Sequence, residues 1–199
     1  MVKAVILASG MAKRFGKNKL LMPLGGKRVV EHVIDHSKAS KVENIFLVYG
    51  HHRQEFERIA EDKEIKLIYN EKYYLGQSYG VKKAIERLEE EAEGILFLLG
   101  DQPFITVHTI NQLLEHFKAY PQKMIVPTYD GKRGNPVIFS KNFFKEIKNI
   151  QGDKGPKEII GKYYNQVVYV PILDSKENFD IDTKEDYKKA LKRFQGENI

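Results

Sequence analysis

The chain predicts an open, mostly parallel α/β sheet with helices on both faces. Three observations carry this. Strand-like and helix-like stretches alternate along almost all of its 199 residues, the pattern of repeated βαβ units. Ile95-Leu96-Phe97-Leu98-Leu99 is apolar at every position, as expected of a central strand covered on both faces. Finally, the apolar run Ala4-Val5-Ile6-Leu7 leads straight into a glycine-containing, cationic loop. Open parallel sheets place their ligand-binding loops just there, beyond the carboxyl ends of the strands.

Taken in order, residues 3–8 read as strand, 28–39 as helix and Ile45-Phe46-Leu47-Val48-Tyr49 as strand. Residues 52–62 read as helix, and Lys66-Leu67-Ile68-Tyr69 as strand. Helix is predicted over 78–91, because Val81, Ala84, Ile85 and Leu88 share one helical face. After the strand at 95–99 comes a helix over 106–118, with Thr106 available as its cap. Met124-Ile125-Val126 and Pro136-Val137-Ile138-Phe139 read as strands around a turn at Asp130-Gly131. Short helices are expected near 141–149 and 156–163, a strand at Val167-Val168-Tyr169-Val170, and a last helix over 184–194. The segments 120–139 and 150–180 look like insertions that shape a second-substrate site. No repeat or interdomain linker interrupts the pattern, so one domain over 1–199 is expected.

A composition of 42% hydrophobic and 30% charged residues excludes disorder. No apolar run approaches the ~20 residues of a membrane span, and Met1-Val2-Lys3 enters a strand with no signal-peptide pattern. A cytoplasmic protein without a membrane partner is expected. The absence of cysteine excludes disulfides and thiolate metal sites within the chain. A net charge of +6 suits a ligand with several phosphates. Lysines are interleaved with glutamates, as in Lys82-Lys83-Ala84-Ile85-Glu86-Arg87, and no basic stripe carries interspersed aromatics. No nucleic-acid partner is therefore expected.

The first loop is Leu7-Ala8-Ser9-Gly10-Met11-Ala12-Lys13-Arg14-Phe15-Gly16-Lys17-Asn18-Lys19. Glycines let backbone N–H groups approach an anion, and the cations supply point-charge and planar donors. It is not a P-loop: that motif needs four residues between its glycines and Ser or Thr after the lysine. Here Met11 to Phe15 intervene and Asn18 follows Lys17. The loop resembles instead the signature loop of the nucleotidylyltransferases, and most closely the group of molybdenum cofactor cytidylyl- and guanylyltransferases. That resemblance implies a Rossmann-like nucleotidyltransferase fold. It also implies an NTP held by Leu7, Ala8, Ser9, Gly10 and Met11, with Arg14 and Lys19 as catalytic residues on its phosphates.

Further segments agree. Gly100-Asp101-Gln102-Pro103 follows the apolar strand and resembles the group's metal-binding motif, which implies Asp101 as a Mg²⁺ ligand and catalytic residue. Phe179-Asp180-Ile181-Asp182-Thr183-Lys184-Glu185-Asp186 resembles the segment bearing a second metal carboxylate. Period two puts Asp180 and Asp182 on one face, and the sequence leaves open which one reaches the metal. Thr183 and Asp186 read as a capping box. Gly76-Gln77-Ser78 resembles the segment against the nucleobase, though Ser78 can also be read as an N-cap. On the acceptor side, Arg133-Gly134-Asn135-Pro136 is similar to an Arg-Gly-His-Pro segment with Asn135 in the histidine's place. Gly152-Asp153-Lys154-Gly155 is similar to a Gly-Asp-x-Gly turn. His32 and His36 stand four apart on a helix, but the sequence shows no third ligand, so an ordinary helix surface is expected.

The resemblance implies a Mg²⁺-dependent enzyme that transfers NMP to a phosphate-bearing acceptor, the molybdopterin cofactor, with a molybdoenzyme as a further partner. Ser9 stands where guanylyltransferases carry glycine, which points to CTP over GTP. Two alternatives stand beside this reading. One is a related transferase activating another phosphorylated alcohol or sugar. The other is a non-catalytic nucleotide or cofactor carrier, or a chaperone of molybdoenzyme maturation.

Overall fold

The computed structural model describes residues 1–10, 18–150 and 156–196. Strand β1 (Val2–Leu7) is followed by a 3-10 turn at Lys19–Leu21 and a small hairpin of β2 (Pro23–Leu24) and β3 (Lys27–Arg28). Then come α1 (Val29–Ala39), β4 (Asn44–Tyr49), α2 (Arg53–Lys63), β5 (Lys66–Tyr69), α3 (Gln77–Leu88), β6 (Gly94–Leu99) and α4 (Val107–Ala119). The remainder is β7 (Met124–Tyr129), β8 (Lys132–Arg133), β9 (Val137–Ser140), α5 (Phe144–Lys148), α6 (Lys157–Lys162), β10 (Val167–Ile172) and α7 (Lys184–Phe194).

The main sheet runs β10-β7-β9-β6-β1-β4-β5, with β8 paired to β7. Strands β5, β4, β1 and β6 are mutually parallel, as are β7 and β10. The mostly parallel α/β architecture is thus the expected one. The chain winds outward from β1 through β4 to β5 and then crosses back to β6 on β1's other side. The switch in strand order therefore falls between β1 and β6, where such sheets open a crevice at their carboxyl ends.

Alternation along the strands divides the core in two. Ala4 and Ile6 of β1 and Leu96 and Leu98 of β6 pack with Val30, Val33 and Ile34 of α1, Phe56 of α2 and Leu113 of α4. Val5, Leu7, Ile95 and Phe97 pack with Val81, Ala84, Ile85 and Leu88 of α3, and with α5 and α6. The four-residue spacing read on α3 is thus its buried face. A smaller cluster, Leu24, Val29, Ile181 and Ala190, fixes α7 and the segment before it to the β2–β3 hairpin.

One local expectation is refined and two are corrected. The turn at Asp130-Gly131 joins β7 to the short β8, and β9 then enters antiparallel between β6 and β7. Both turn residues have positive φ, 48° and 74°, the geometry of a tight two-residue hairpin. Gly76, at φ 116°, takes the N-cap position of α3, and Ser78 lies buried inside the first turn rather than capping it. His32 is buried, not on the surface, with Nε2 2.8 Å from the Leu24 carbonyl. No group of three or more His, Cys, Asp or Glu side chains that could hold a metal ion occurs among the described residues. No helix among them is long and apolar enough to cross a membrane.

Candidate active site

The site is built at the switch point. The β-ladder runs slightly past the strand ends: the Ala8 N–H donates to the Val48 carbonyl at 2.8 Å, and the Gly100 N–H to the Leu7 carbonyl at 3.1 Å. Gly10 and Asp101 consequently emerge from neighbouring strands at the same sheet edge. Met11 and Arg14 lie outside the described residues. The loop's far end is held by a 3-10 turn in which Asn18 Oδ1 accepts from the Leu20 N–H at 3.1 Å. Leu20 anchors that turn in the core, and this returns Lys19 to the crevice.

Lys19 Nζ sits between two carboxylates, 2.6 Å from Asp101 Oδ2 and 2.8 Å from Asp182 Oδ1. Burial alone would lower the pKa of this ammonium. The charges and hydrogen bonds of Asp101 and Asp182 outweigh burial and hold it above its ordinary value. Three sequence-predicted residues from three separate segments thus meet at one point.

Asp182 reaches that point because its segment docks along the residues after β6. The Ile181 N–H donates to the Asp101 carbonyl at 3.1 Å, and the Ile181 side chain is fully buried. Asp180 and Asp182 flank it on the opposite side, as the alternation predicted. One turn earlier, buried Glu177 accepts from the Thr106 N–H and hydroxyl, each at 3.1 Å. Thr106 also caps α4, taking the Thr109 N–H at 3.2 Å. Beyond the segment, Thr183 and Asp186 form the capping box of α7.

Asp180 faces a different partner. Its Oδ1 accepts from Gln102 Nε2 at 2.9 Å. Although the residue keeps solvent access, loss of hydration around the carboxyl and then the like charges of Asp101 and Asp182 push its pKa up to about 6. The Gln102 bond opposes that shift. The structure therefore separates the two acids: Asp182 shares a cation with Asp101, whereas Asp180 is held by an amide.

This donor set fits a small, hard divalent cation. Asp101 and Asp182 present oxygens to one point, where an ammonium stands in for the charge. Mg²⁺-type sites commonly take one or two carboxylates and leave the other positions to water and phosphate oxygens.

Beside the acids, the end of β1 abuts the start of α3. The Ser9 hydroxyl is turned inward: a β-carbon on Gly80 would stand 2.7 Å from Ser9 Oγ and 3.7 Å from Asn70 Nδ2. Both polar atoms are buried, with no hydrogen-bond partner among the described residues. Asn70 was missed by sequence reasoning, although its place directly after β5 could have marked it.

Next to this junction lies a cavity of about 360 Å³. Leu7, Leu99, Phe97 and Phe139 give it apolar lining, and Gln77 and Ser78 of α3 supply polar groups. Asn135 also lines it, so the segment expected at the nucleobase and one residue expected at the acceptor line a single cavity. The Asn135 carbonyl accepts from Tyr129 Oη at 2.7 Å. A side chain at Gly134 would collide with the Tyr129 ring at 2.6 Å and with Asn178 Oδ1 at 2.8 Å. The 134–135 turn thus packs against the segment that carries Asp180 and Asp182. Arg133 ends β8 and is exposed. Gly152 and Asp153 lie outside the described residues.

Comparison with known proteins agrees with this fold. The chain is similar to the purine catabolism protein PucB of Bacillus subtilis, 27% identical over 194 residues and 92% of both chains. Among solved structures it is similar to Rv0371c of Mycobacterium tuberculosis H37Rv, with a TM-score of 0.84 and 23% identity over 96% of this chain and 97% of that one. The same protein has also been solved as a complex with manganese, at TM-score 0.80 and 23% identity, covering 96% and 98%. Molybdopterin-guanine dinucleotide biosynthesis protein A of Archaeoglobus fulgidus superposes with a TM-score of 0.71 at 18% identity, covering 98% and 99%. The MobA-like NTP transferase domain matches residues 4–167, most of the chain and all of the switch-point crevice except its C-terminal acidic segment, and the chain belongs to that family.

Proposed function

We propose that the chain is a Mg²⁺-dependent nucleotidylyltransferase. It transfers NMP from an NTP, CTP in preference to GTP, to the phosphate of a small acceptor of the molybdopterin class. The observation that carries this reading is the Lys19 ammonium held between Asp101 and Asp182. It joins the phosphate loop to two hard-cation ligands at one place.

An acceptor phosphate oxygen attacks the α-phosphorus of the NTP. The new oxygen–phosphorus bond forms as the bond from the α-phosphorus to the α,β-bridging oxygen breaks, and pyrophosphate leaves with that electron pair. A phosphate monoester has its second pKa near ~6 and is largely ionised at neutral pH, so no general base is needed. Catalysis then rests on positioning and charge stabilisation. Asp101 and Asp182 would hold the metal, which supplies positive charge to the phosphate oxygens when bound. Lys19, with Arg14 from the loop, binds the triphosphate and the leaving pyrophosphate. Leu7 to Met11 cradle the nucleotide, Gly76 to Ser78 border the base, and Arg133 to Asn135 with Gly152 and Asp153 border the acceptor.

The CTP preference rests on Ser9. Its side chain fills the junction between β1 and Gly80 of α3, space that glycine would leave open. The molybdopterin class is supported by the likeness to the Archaeoglobus protein and by the apolar walls of the cavity. A panel of NTPs crossed with phosphorylated acceptors, read by pyrophosphate release, tests the reading. Release that needs both CTP and a pterin phosphate supports it. Release with a sugar phosphate alone would reassign the acceptor, and tight NTP binding without release under any pairing would make the chain a carrier.

A further inference from the structure

From the structure we infer that Gln102 is a positioning residue that sets the metal affinity of the site. It does so by fixing the 178–182 segment against the end of β6. This rests on the metal-dependent reading above but requires no particular acceptor.

Gln102 is almost completely buried, at 1% exposure. Its Nε2 donates to Asp180 Oδ1 at 2.9 Å and to Asn178 Oδ1 at 3.3 Å. Two acceptor oxygens on one side settle which end of the amide carries the nitrogen, since a carboxylate can only accept. Its other end, Oε1, is buried with no hydrogen-bond partner among the described residues. A buried unpaired carbonyl costs stability, and an apolar residue of the same size would avoid that cost. What the amide adds is its two donated protons, and both go to the segment that carries Asp182.

The consequence for the metal follows from the chain's geometry. Asp182 lies two residues beyond Asp180, and between them Ile181 is pinned by its N–H on the Asp101 carbonyl. Gln102 and Ile181 therefore clamp the segment at consecutive residues, from the strand end that bears Asp101. The same amide also separates the charges. Asp101 and Asp182 repel the Asp180 carboxylate, and Gln102 gives that carboxylate its own donor. Without the donor, repulsion from Asp101 and Asp182 is free to swing the Asp180 carboxylate outward, and with it the segment that carries Asp182. The second bond, to Asn178, extends the clamp towards the acceptor side, because Asn178 Oδ1 bounds the space at Gly134. Groups that orient metal ligands from behind typically change metal affinity ~10–100-fold when removed.

The test is Gln102→Leu, which keeps a similar volume and removes both donors, with Asn178→Ala cutting the weaker bond from its half-buried acceptor. Mn²⁺ binding is followed by the loss of the free-ion EPR signal, with and without a non-hydrolysable NTP analogue, beside thermal melting. Gln102→Leu is expected to weaken Mn²⁺ binding about tenfold or more. The metal concentration for half-maximal turnover should rise by the same factor, with kcat restored at saturating metal. Asn178→Ala should shift Mn²⁺ binding the same way by a smaller factor, and it decides the question alone if Gln102→Leu does not fold. A folded Gln102→Leu protein with wild-type Mn²⁺ affinity would overturn the inference, as would an Asn178→Ala protein with unchanged affinity. Wild-type protein that binds Mn²⁺ but transfers no nucleotide would overturn the proposed function and leave the role of Gln102 to the Mn²⁺ titration. Wild-type protein that binds no Mn²⁺ would remove both.

Discussion

Replacing Lys19 with methionine should change the affinities for metal and for nucleotide in opposite directions. Lys19 Nζ lies 2.6 Å from Asp101 and 2.8 Å from Asp182, so a metal ion entering between the two carboxylates must displace an ammonium. The two contacts are unequal. Lys19 and Asp101 have side chains only 15% and 19% exposed, whereas Asp182 is 57% exposed. A largely enclosed charge-assisted bond is worth ~1.5–3 kcal/mol, and an exposed pair only ~0–1 kcal/mol. Taken together, the displacement opposes metal binding by about 2 kcal/mol, close to thirtyfold in affinity. Lys19→Met should thus bind Mn²⁺ without nucleotide about 10–30-fold more tightly than wild type. It should bind the NTP more weakly by ~1.5–3 kcal/mol, because the same ammonium is the proposed triphosphate contact. Free-Mn²⁺ EPR measures the first, and calorimetric titration of NTP against the nucleoside measures the second. Mn²⁺ affinity that is unchanged or lower in Lys19→Met would refute the displacement. Equal NTP binding would return the lysine to a structural ion pair.

Other perturbations separate the remaining roles. Asp101→Asn should fold, because an amide still fits beside Lys19, but should lose at least ~100-fold in turnover as a carboxylate on the metal becomes a weak neutral ligand; steady-state rates across Mg²⁺ concentrations check this. Asp180, raised from 3.8 to about 6 in the fold, keeps its proton where the unfolded chain has already lost it. Metal-free stability should therefore fall as pH rises from about 4 to about 6. Asp180→Asn should remove that penalty and stabilise the protein at pH 7 by ~1 kcal/mol after allowing for solvent screening. That corresponds to ~2–4 °C in melting temperature, and the gain should vanish near pH 4. Ser9→Gly should narrow the preference for CTP over GTP in competition titration, whereas an unchanged ratio would take base choice away from this residue.

Much of the sheet was legible because its signals are local. The apolar run at 95–99 became the central strand β6 beside β1, and the spacing of Val81, Ala84, Ile85 and Leu88 became the buried face of α3. The capping box at Thr183 also needs only four consecutive residues. What sequence could not show depends on partners far along the chain. The entry of β9 between β6 and β7 is a choice of neighbours, not of local conformation. The two-residue strands β2 and β3 are too short to show a period. Ser78 was open to reading as a cap because Gly76, at φ 116°, takes that place through backbone conformation alone. At the site, the resemblance marked Lys19, Asp101 and the pair Asp180 and Asp182, but the division of labour between those two acids needed the fold. It depends on Gln102 facing one acid and Lys19 the other. Gln102 itself stood inside a recognised motif, yet an amide's role is invisible until its acceptors arrive from the C-terminal segment.

The most direct test of nucleotidyl transfer follows the fate of individual phosphates. CTP labelled at the α-phosphate, or separately at the γ-phosphate, is incubated with Mg²⁺, a pterin phosphate acceptor and the protein, and the products are separated. Nucleotidyl transfer predicts that the α label moves to the acceptor in a new phosphoanhydride while the γ label leaves in pyrophosphate, and that Asp101→Asn abolishes both. Transfer of the γ label to the acceptor, or release of the α label only as free CMP whatever acceptor is present, would contradict it.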